Sequence, residues 1–223
     1  MTAAPPVDAW TPWAPADVAA RLAALDLPWC VVGGWALDLF AGHQRRPHQD
    51  LEIAVPAARF QEVAARLDGC RLFVPVDGQL HCLADDPALL ERSHQTWVEG
   101  DGRWRLDVMR EPSDVGPGGQ HRWVCRRDAS LRLPYAEVIR RDQAGVPYLR
   151  PDLVLLFKAK AVRPKDQEDF DRTVPDLSVD ERTRLAEWVA KVHGMEHPWV
   201  AALRPGREGT GGDASGVGGF DEQ

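Results

Sequence analysis

Cys30-Val31-Val32-Gly33-Gly34-Trp35-Ala36-Leu37-Asp38-Leu39-Phe40, and shortly after it Arg46-Pro47-His48-Gln49-Asp50-Leu51-Glu52-Ile53-Ala54-Val55, decide how this chain folds. Trp29 to Val32 is a short apolar run with β-branched residues, which reads as a strand. Gly33-Gly34 turns it, and Trp35, Ala36, Leu37, Leu39 and Phe40 suit a buried helix ending near Gly42. Between Asp50 and Val55, Leu51, Ile53 and Val55 alternate with Asp50, Glu52 and Ala54. That spacing predicts a strand with both carboxylates on one face.

Working outward, Val18, Leu22 and Leu25 mark a short helix over 17–25 that Pro28 ends. Phe60, Val63, Ala64 and Leu67 form an i, i+3, i+4, i+7 stripe, so 57–67 reads as a helix. Strands follow at 70–74 and 79–83. Thr96 to Val98 and Trp104 to Val108 read as a hairpin joined through Glu99-Gly100-Asp101-Gly102, with Leu106 and Val108 on one side and Asp107 on the other. A Gly/Pro-rich loop spans 112–120, and short strands are expected at 122–125, 137–140 and 146–149.

Beyond Pro151 the pattern turns helical, at 153–161, from Asp166 onward, and over 178–193. The reading is therefore a mixed α/β domain over 14–150, a helical C-terminal section over 151–203, and a Gly-rich tail over 204–223. The tail holds seven of the chain's 19 glycines and has too little apolar surface to order itself, so disorder is expected there.

The chain has 223 residues, 44% hydrophobic and 27% charged, enough for one substantial core with a small addition. A net charge of −7 argues against a protein that holds nucleic acid by neutralising many phosphates. The four cysteines form no C-x-x-C pair and read as reduced thiols. No run of 18 apolar residues and no signal-like start is present, so the expectation is a soluble, cytoplasmic protein without membrane association.

The ordered set of Gly33-Gly34 after a strand, Asp50-x-Glu52 on a strand and a lone Asp107 in a later strand points to metal-assisted group transfer. Carboxylates two apart on a strand can flank Mg²⁺, which takes oxygen ligands, and glycines at a helix N-terminus let backbone amides approach phosphates. Arg46 and His48, just before the acids, are cationic candidates for neutralising a triphosphate. Each feature has a plainer reading: a tight turn, the polar face of an edge strand, a solvated loop.

Taken together, Gly33-Gly34-Trp35-Ala36-Leu37-Asp38, Arg46-Pro47-His48-Gln49-Asp50-Leu51-Glu52 and Leu106-Asp107-Val108 resemble the nucleotidyltransferase superfamily typified by DNA polymerase β. More narrowly they resemble the aminoglycoside and lincosamide nucleotidyltransferases, with the pattern G-G-W-x-x-D then R-x-H-x-D-x-[DE]. The resemblance covers about residues 31–109 and extends through 153–175, which includes Lys158. It departs at Glu52, where many relatives have Asp, and at Gln49, where close relatives often carry an acid.

The resemblance implies a mixed sheet flanked by helices and a cleft completed by the C-terminal helices. It implies Asp50, Glu52 and Asp107 as Mg²⁺ ligands, with Asp107 alternatively the general base. Gly33 and Gly34 would hold the triphosphate of ATP or another nucleoside triphosphate, and Lys158 would reach its outer phosphates. The implied activity moves a nucleoside monophosphate, AMP in the first instance, onto a small-molecule hydroxyl such as that of an aminoglycoside-like antibiotic, releasing pyrophosphate. The alternatives are the same chemistry on a protein or tRNA, and a nucleotide-binding regulator without turnover.

Overall fold

A computed structural model describes residues 3–204. The expected Gly-rich tail falls, apart from Arg204, outside the described residues. In chain order the helices are α1 (Pro15–Leu22), α2 (Gly33–Ala41), α3 (Phe60–Ala64), α4 (Leu89–Arg92), α5 (Tyr135–Val138), α6 (Pro151–Lys158), α7 (Pro164–Thr173), α8 (Val179–His193) and α9 (Pro198–Leu203). The strands are β1 (Cys30–Val31), β2 (Glu52–Pro56), β3 (Arg71–Val76), β4 (Gln79–Cys82), β5 (Gln95–Gly100), β6 (Arg103–Glu111), β7 (Ser113–Val115), β8 (His121–Val124), β9 (Arg132–Pro134), β10 (Ile139–Arg141) and β11 (Pro147–Leu149).

Eight strands form one mixed sheet in the order β10-β11-β1-β2-β6-β5-β3-β4. Two junctions are parallel, β1 with β11 and β2 with β6; the rest are antiparallel. This is the mixed α/β sheet flanked by helices that the sequence predicts. β7, β8 and β9 make a small separate sheet. The Gly/Pro loop expected over 112–120 contains β7, because Ser113 to Val115 pair with His121 to Trp123.

Several expected elements differ at their edges. The acidic strand starts at Glu52 and not at Asp50: β1 offers only Cys30 and Val31, which pair with Ala54 and Ile53, so Asp50 has no strand partner. The helix expected over 57–67 is a 3₁₀ turn at Ala57–Arg59 running into α3. The strand expected at 137–140 opens as α5 and becomes β10 only from Ile139.

One apolar core joins the sheet to the C-terminal helices. Val31, Leu51, Ile53, Leu106 and Val108 share a continuous buried cluster with Leu153, Leu155 and Leu156 of α6 and Leu185 and Val189 of α8. The alternation on β2 sends Leu51, Ile53 and Val55 into this core and leaves Glu52 and Ala54 on the other face. Among the described residues no helix is long and apolar enough to cross a membrane. The four cysteines are free thiols.

Candidate active site

The parallel register of β2 and β6 sets Glu52 directly opposite Asp107. Backbone bonds hold that junction: the Asp107 amide donates to the Leu51 carbonyl and the Val32 amide to the Glu52 carbonyl, each at 2.9 Å. Three neighbouring strands thus converge on the carboxylates. Asp50 lies just before β2, exposed, on the segment leading in from α2.

The Asp107 residue is only 4% exposed. Gln95 on β5 donates from Nε2 to its Oδ2 at 2.8 Å. Its Oδ1 is buried and forms no hydrogen bond of standard geometry, although Trp97 stands beside it. Burial, and then the Glu52 charge, raise the Asp107 carboxyl well above the ordinary carboxylate range, against the pull of Gln95. Burial followed by repulsion from Asp50 lifts Glu52 to about 7, and Lys158, Lys165 and Arg163 partly offset it.

Gly33 has φ +65°, and a Cβ there would collide with the Glu52 carboxylate. A Cβ on Gly34 would come within 2.5 Å of both the Arg46 guanidinium and the His48 ring. The glycine pair is therefore required twice, once by backbone conformation and once by close approach. Both residues sit at the N-terminus of α2, where unpaired amides and the helix dipole favour an anion.

The other predicted residues are drawn into ion pairs. His48 Nε2 donates to Asp38 Oδ2 of α2 at 2.6 Å, with both side chains buried, and the Trp35 ring lies 4.7 Å from the His48 ring. Arg46 bonds both oxygens of Asp169 on α7, at 3.1 Å each. Lys158 lies 2.9 Å from Asp166 and 2.9 Å from Asp169. Arg46 and Lys158 thus meet on one carboxylate of the C-terminal helices.

Asp38 and Gln95 are not among the residues that the sequence marks for the site, and Asp169 reads there as helix N-terminal charge rather than as a ligand. Asp38 was legible as the last position of G-G-W-x-x-D. Gln95 carries no local signal, and nothing local gives the partners of Asp169, because strand pairing and helix docking bring them in. Trp104 is fully buried and edge-on to both Trp97 and Phe73, so it belongs to the core.

A cleft of about 400 Å³ opens from Gly33 and Glu52 along the face of β2 and β6 that carries Glu52, Ala54, Met109 and Glu111, roofed by α6 and the start of α7. Its walls are largely apolar and aromatic, with Trp29, Trp123, Tyr135 and Phe157 among them. Five cationic side chains line it, Arg126, Arg127, Lys158, Lys160 and Arg163, against three acids, Glu52, Glu111 and Asp166. An anionic ligand with a flat apolar part suits these walls, whereas a polycation is repelled by them. A cationic acceptor therefore does not suit this cavity.

Among the described residues no three His, Cys, Asp or Glu side chains stand close enough to close round a metal ion. The donor set nevertheless fits Mg²⁺: hard carboxylate oxygens that raise one another's proton affinity, one of them buried without a hydrogen-bond partner. Mg²⁺ keeps several waters and completes its shell with substrate phosphates, so one or two protein carboxylates suffice.

Residues 16–110 match the family model described as Aminoglycoside-2''-adenylyltransferase. No curated protein sequence matches the chain. Among solved structures, the crystal structure of ANT(2'')-Ia in complex with adenylyl-2''-tobramycin is 15% identical, covering 78% of this chain and 94% of its own, with a TM-score of 0.53. The solution structure of the antibiotic-resistance factor ANT(2'')-Ia is 17% identical over 82% and 92%, with a TM-score of 0.52. The lincosamide antibiotic adenylyltransferase LnuA, lincomycin-bound, is 16% identical over 70% and 90%, with a TM-score of 0.47. Residues 16–110 are thus similar to the aminoglycoside-2''-adenylyltransferase family, and the chain shares the fold of the ANT(2'')-Ia structures.

Proposed function

We propose that the chain transfers AMP from ATP, with Mg²⁺, to a hydroxyl of a small amine-bearing acceptor of the aminoglycoside kind, releasing pyrophosphate. The observation that carries this is the pairing of Glu52 with Asp107 across β2 and β6, beside glycines that leave no room for a side chain. The triphosphate would lie on the amides of Gly33 and Gly34, with its base in the cation-rich cleft. Mg²⁺, held by Asp50, Glu52 and Asp107, would neutralise charge on the transferring phosphate.

Asp107, whose Oδ1 is buried and accepts no hydrogen bond of standard geometry, would take the proton of the acceptor hydroxyl. The hydroxyl oxygen forms the new bond to the α-phosphorus, and the bond to the bridging oxygen breaks to release pyrophosphate. The acceptor would enter on the side of exposed Asp50, a carboxylate outside the cleft lining that attracts an amine. Arg46, His48 and Lys158 would hold the site's walls in register more than they would touch phosphate, since each has a carboxylate partner.

The test is incubation with Mg²⁺, α-labelled nucleoside triphosphates and a panel of aminoglycosides, lincosamides, RNA and protein extract. Label on an aminoglycoside with matching pyrophosphate is the expected result. Label only on RNA or protein overturns the acceptor, and no transfer at all overturns the reaction. Asp107→Asn should lower kcat by roughly 10²–10⁴-fold.

A further inference from the structure

The cleft has a polar end that the phosphate chemistry does not use. Glu111 is the last residue of β6 and pairs with Pro56, four positions along the strand from the pairing of Asp107 with Glu52. At about 3.3 Å per residue that is roughly 13 Å away. Asp107, Met109 and Glu111 occupy alternate positions of one strand, so all three share the face that Glu52 and Ala54 present.

Glu111 is 5% exposed, and Arg126 neutralises only one of its oxygens, Oε1 at 3.1 Å. Oε2 is buried and accepts no hydrogen bond. The Tyr135 hydroxyl, near Ser113, is likewise buried without a bond of standard geometry, and the charge of Glu111 is felt at Tyr135 and at Cys30. Leaving such groups unpaired costs about 1–3 kcal/mol each, so a cleft whose lining includes both residues is short of a partner. Apolar and aromatic walls, Trp29 and Phe157 among them, lead up to them.

The geometry points to a base-reading subsite in which Glu111 Oε2 accepts a hydrogen bond from the exocyclic amino group of a nucleobase while the Tyr135 hydroxyl donates to the adjacent ring nitrogen. This rests on the reading that the cleft holds a nucleoside triphosphate. Adenine presents that amine and ring nitrogen side by side. Guanine and uracil, held in the same register, present a carbonyl oxygen to a carboxylate, and two acceptors repel. Cytosine carries the same edge on a smaller ring that reaches less far from the phosphates. Glu111 is thus a residue that selects the nucleotide and takes no part in the transfer itself.

The experiment is equilibrium binding of ATP, GTP, CTP and UTP, each with Mg²⁺, to the full chain and to Glu111→Gln and Tyr135→Phe, with thermal melts to establish folding. The native protein should bind ATP at least tenfold more tightly than GTP or UTP. In Glu111→Gln, whose amide can donate as well as accept, that ratio should fall to within about threefold. Tyr135→Phe, which keeps the ring, should weaken ATP severalfold and leave GTP unchanged. If Glu111→Gln does not fold, the native ratios and Tyr135→Phe decide. Tight binding of all four nucleotides with equal affinity, or a ratio untouched by the variants, overturns the subsite while leaving the nucleotide reading intact. Binding of none of them overturns both.

Discussion

Two residues at the centre of the site show how much of it depends on single atoms. Gly33 combines a positive φ with contact against the Glu52 carboxylate. Gly33→Ala should cost roughly 1–2 kcal/mol from backbone conformation alone, and displacing Glu52 should cut transfer by about 10²-fold or more. Denaturant unfolding and kcat/KM measure the two effects; a variant with normal kcat/KM would mean that the glycine is merely a turn. Glu52 makes the second case. Its proton affinity is raised to about 7 in the folded chain, against about 4.3 when unfolded. The folded state therefore binds the proton more tightly, and the stability linked to this group is fully present below about pH 4.3 and lost as pH rises through 7. The loss is at most about 4 kcal/mol, Glu52→Gln should lack it, and Mg²⁺ should restore stability more at pH 8 than at pH 5. A difference in unfolding free energy between the two proteins that stays flat from pH 5 to pH 8 would refute the assignment.

At the scale of elements, α2 carries the site as much as β2 does. Its N-terminal glycines meet Glu52, Arg46 and His48, and one and a half turns on, Asp38 holds His48 from below. Asp38→Ala should remove about 1–3 kcal/mol of stability by leaving the buried His48 donor unpaired. It should also raise KM for ATP, because His48 packs on Gly34; unchanged stability and KM would show the pair to be incidental. This link was half legible in the sequence: G-G-W-x-x-D and R-x-H mark both ends, but nothing local says that they touch. The alternation of β2 and the lone acid of β6 were legible because strand periodicity is a short-range property. The extra length of β6 to Glu111, and Gln95 over Asp107, were not, since strand pairing decides them. Asp50 lies two residues before the strand for the same reason, as β1 is too short to pair with it. The pattern Asp107-x-Met109-x-Glu111 was present all along, and its third member gains meaning only once α6 roofs the cleft.

For the whole molecule, the boundary read at residue 150 separates two patterns of sequence but not two cores. Leu153, Val154, Leu155 and Leu156 of α6 are each at most 2% exposed and belong to the cluster that holds Val31, Ile53 and Val108 of the sheet. Burying four such side chains is worth about 6–12 kcal/mol as an upper estimate, as large as the net stability of a typical domain at about 5–15 kcal/mol. The ion pairs add a second bond between the halves: Arg46 and Arg45, from the segment before β2, reach Asp169 and Asp176 beyond α6. Asp169 also holds Lys158, so the carboxylate that docks the helices also fixes a wall of the cleft. A chain cut after Arg150 should therefore fail to fold cooperatively, and the full chain should melt in one transition that calorimetry and circular dichroism report at the same temperature. Asp169→Asn in the full chain should lower stability by about 2–4 kcal/mol, because Arg46 loses its carboxylate partner and Lys158 one of its two, while nucleotide affinity falls with it. A truncated chain that melts cooperatively near the temperature of the full one would show two independent domains, and the cleft between them would then be a hinge.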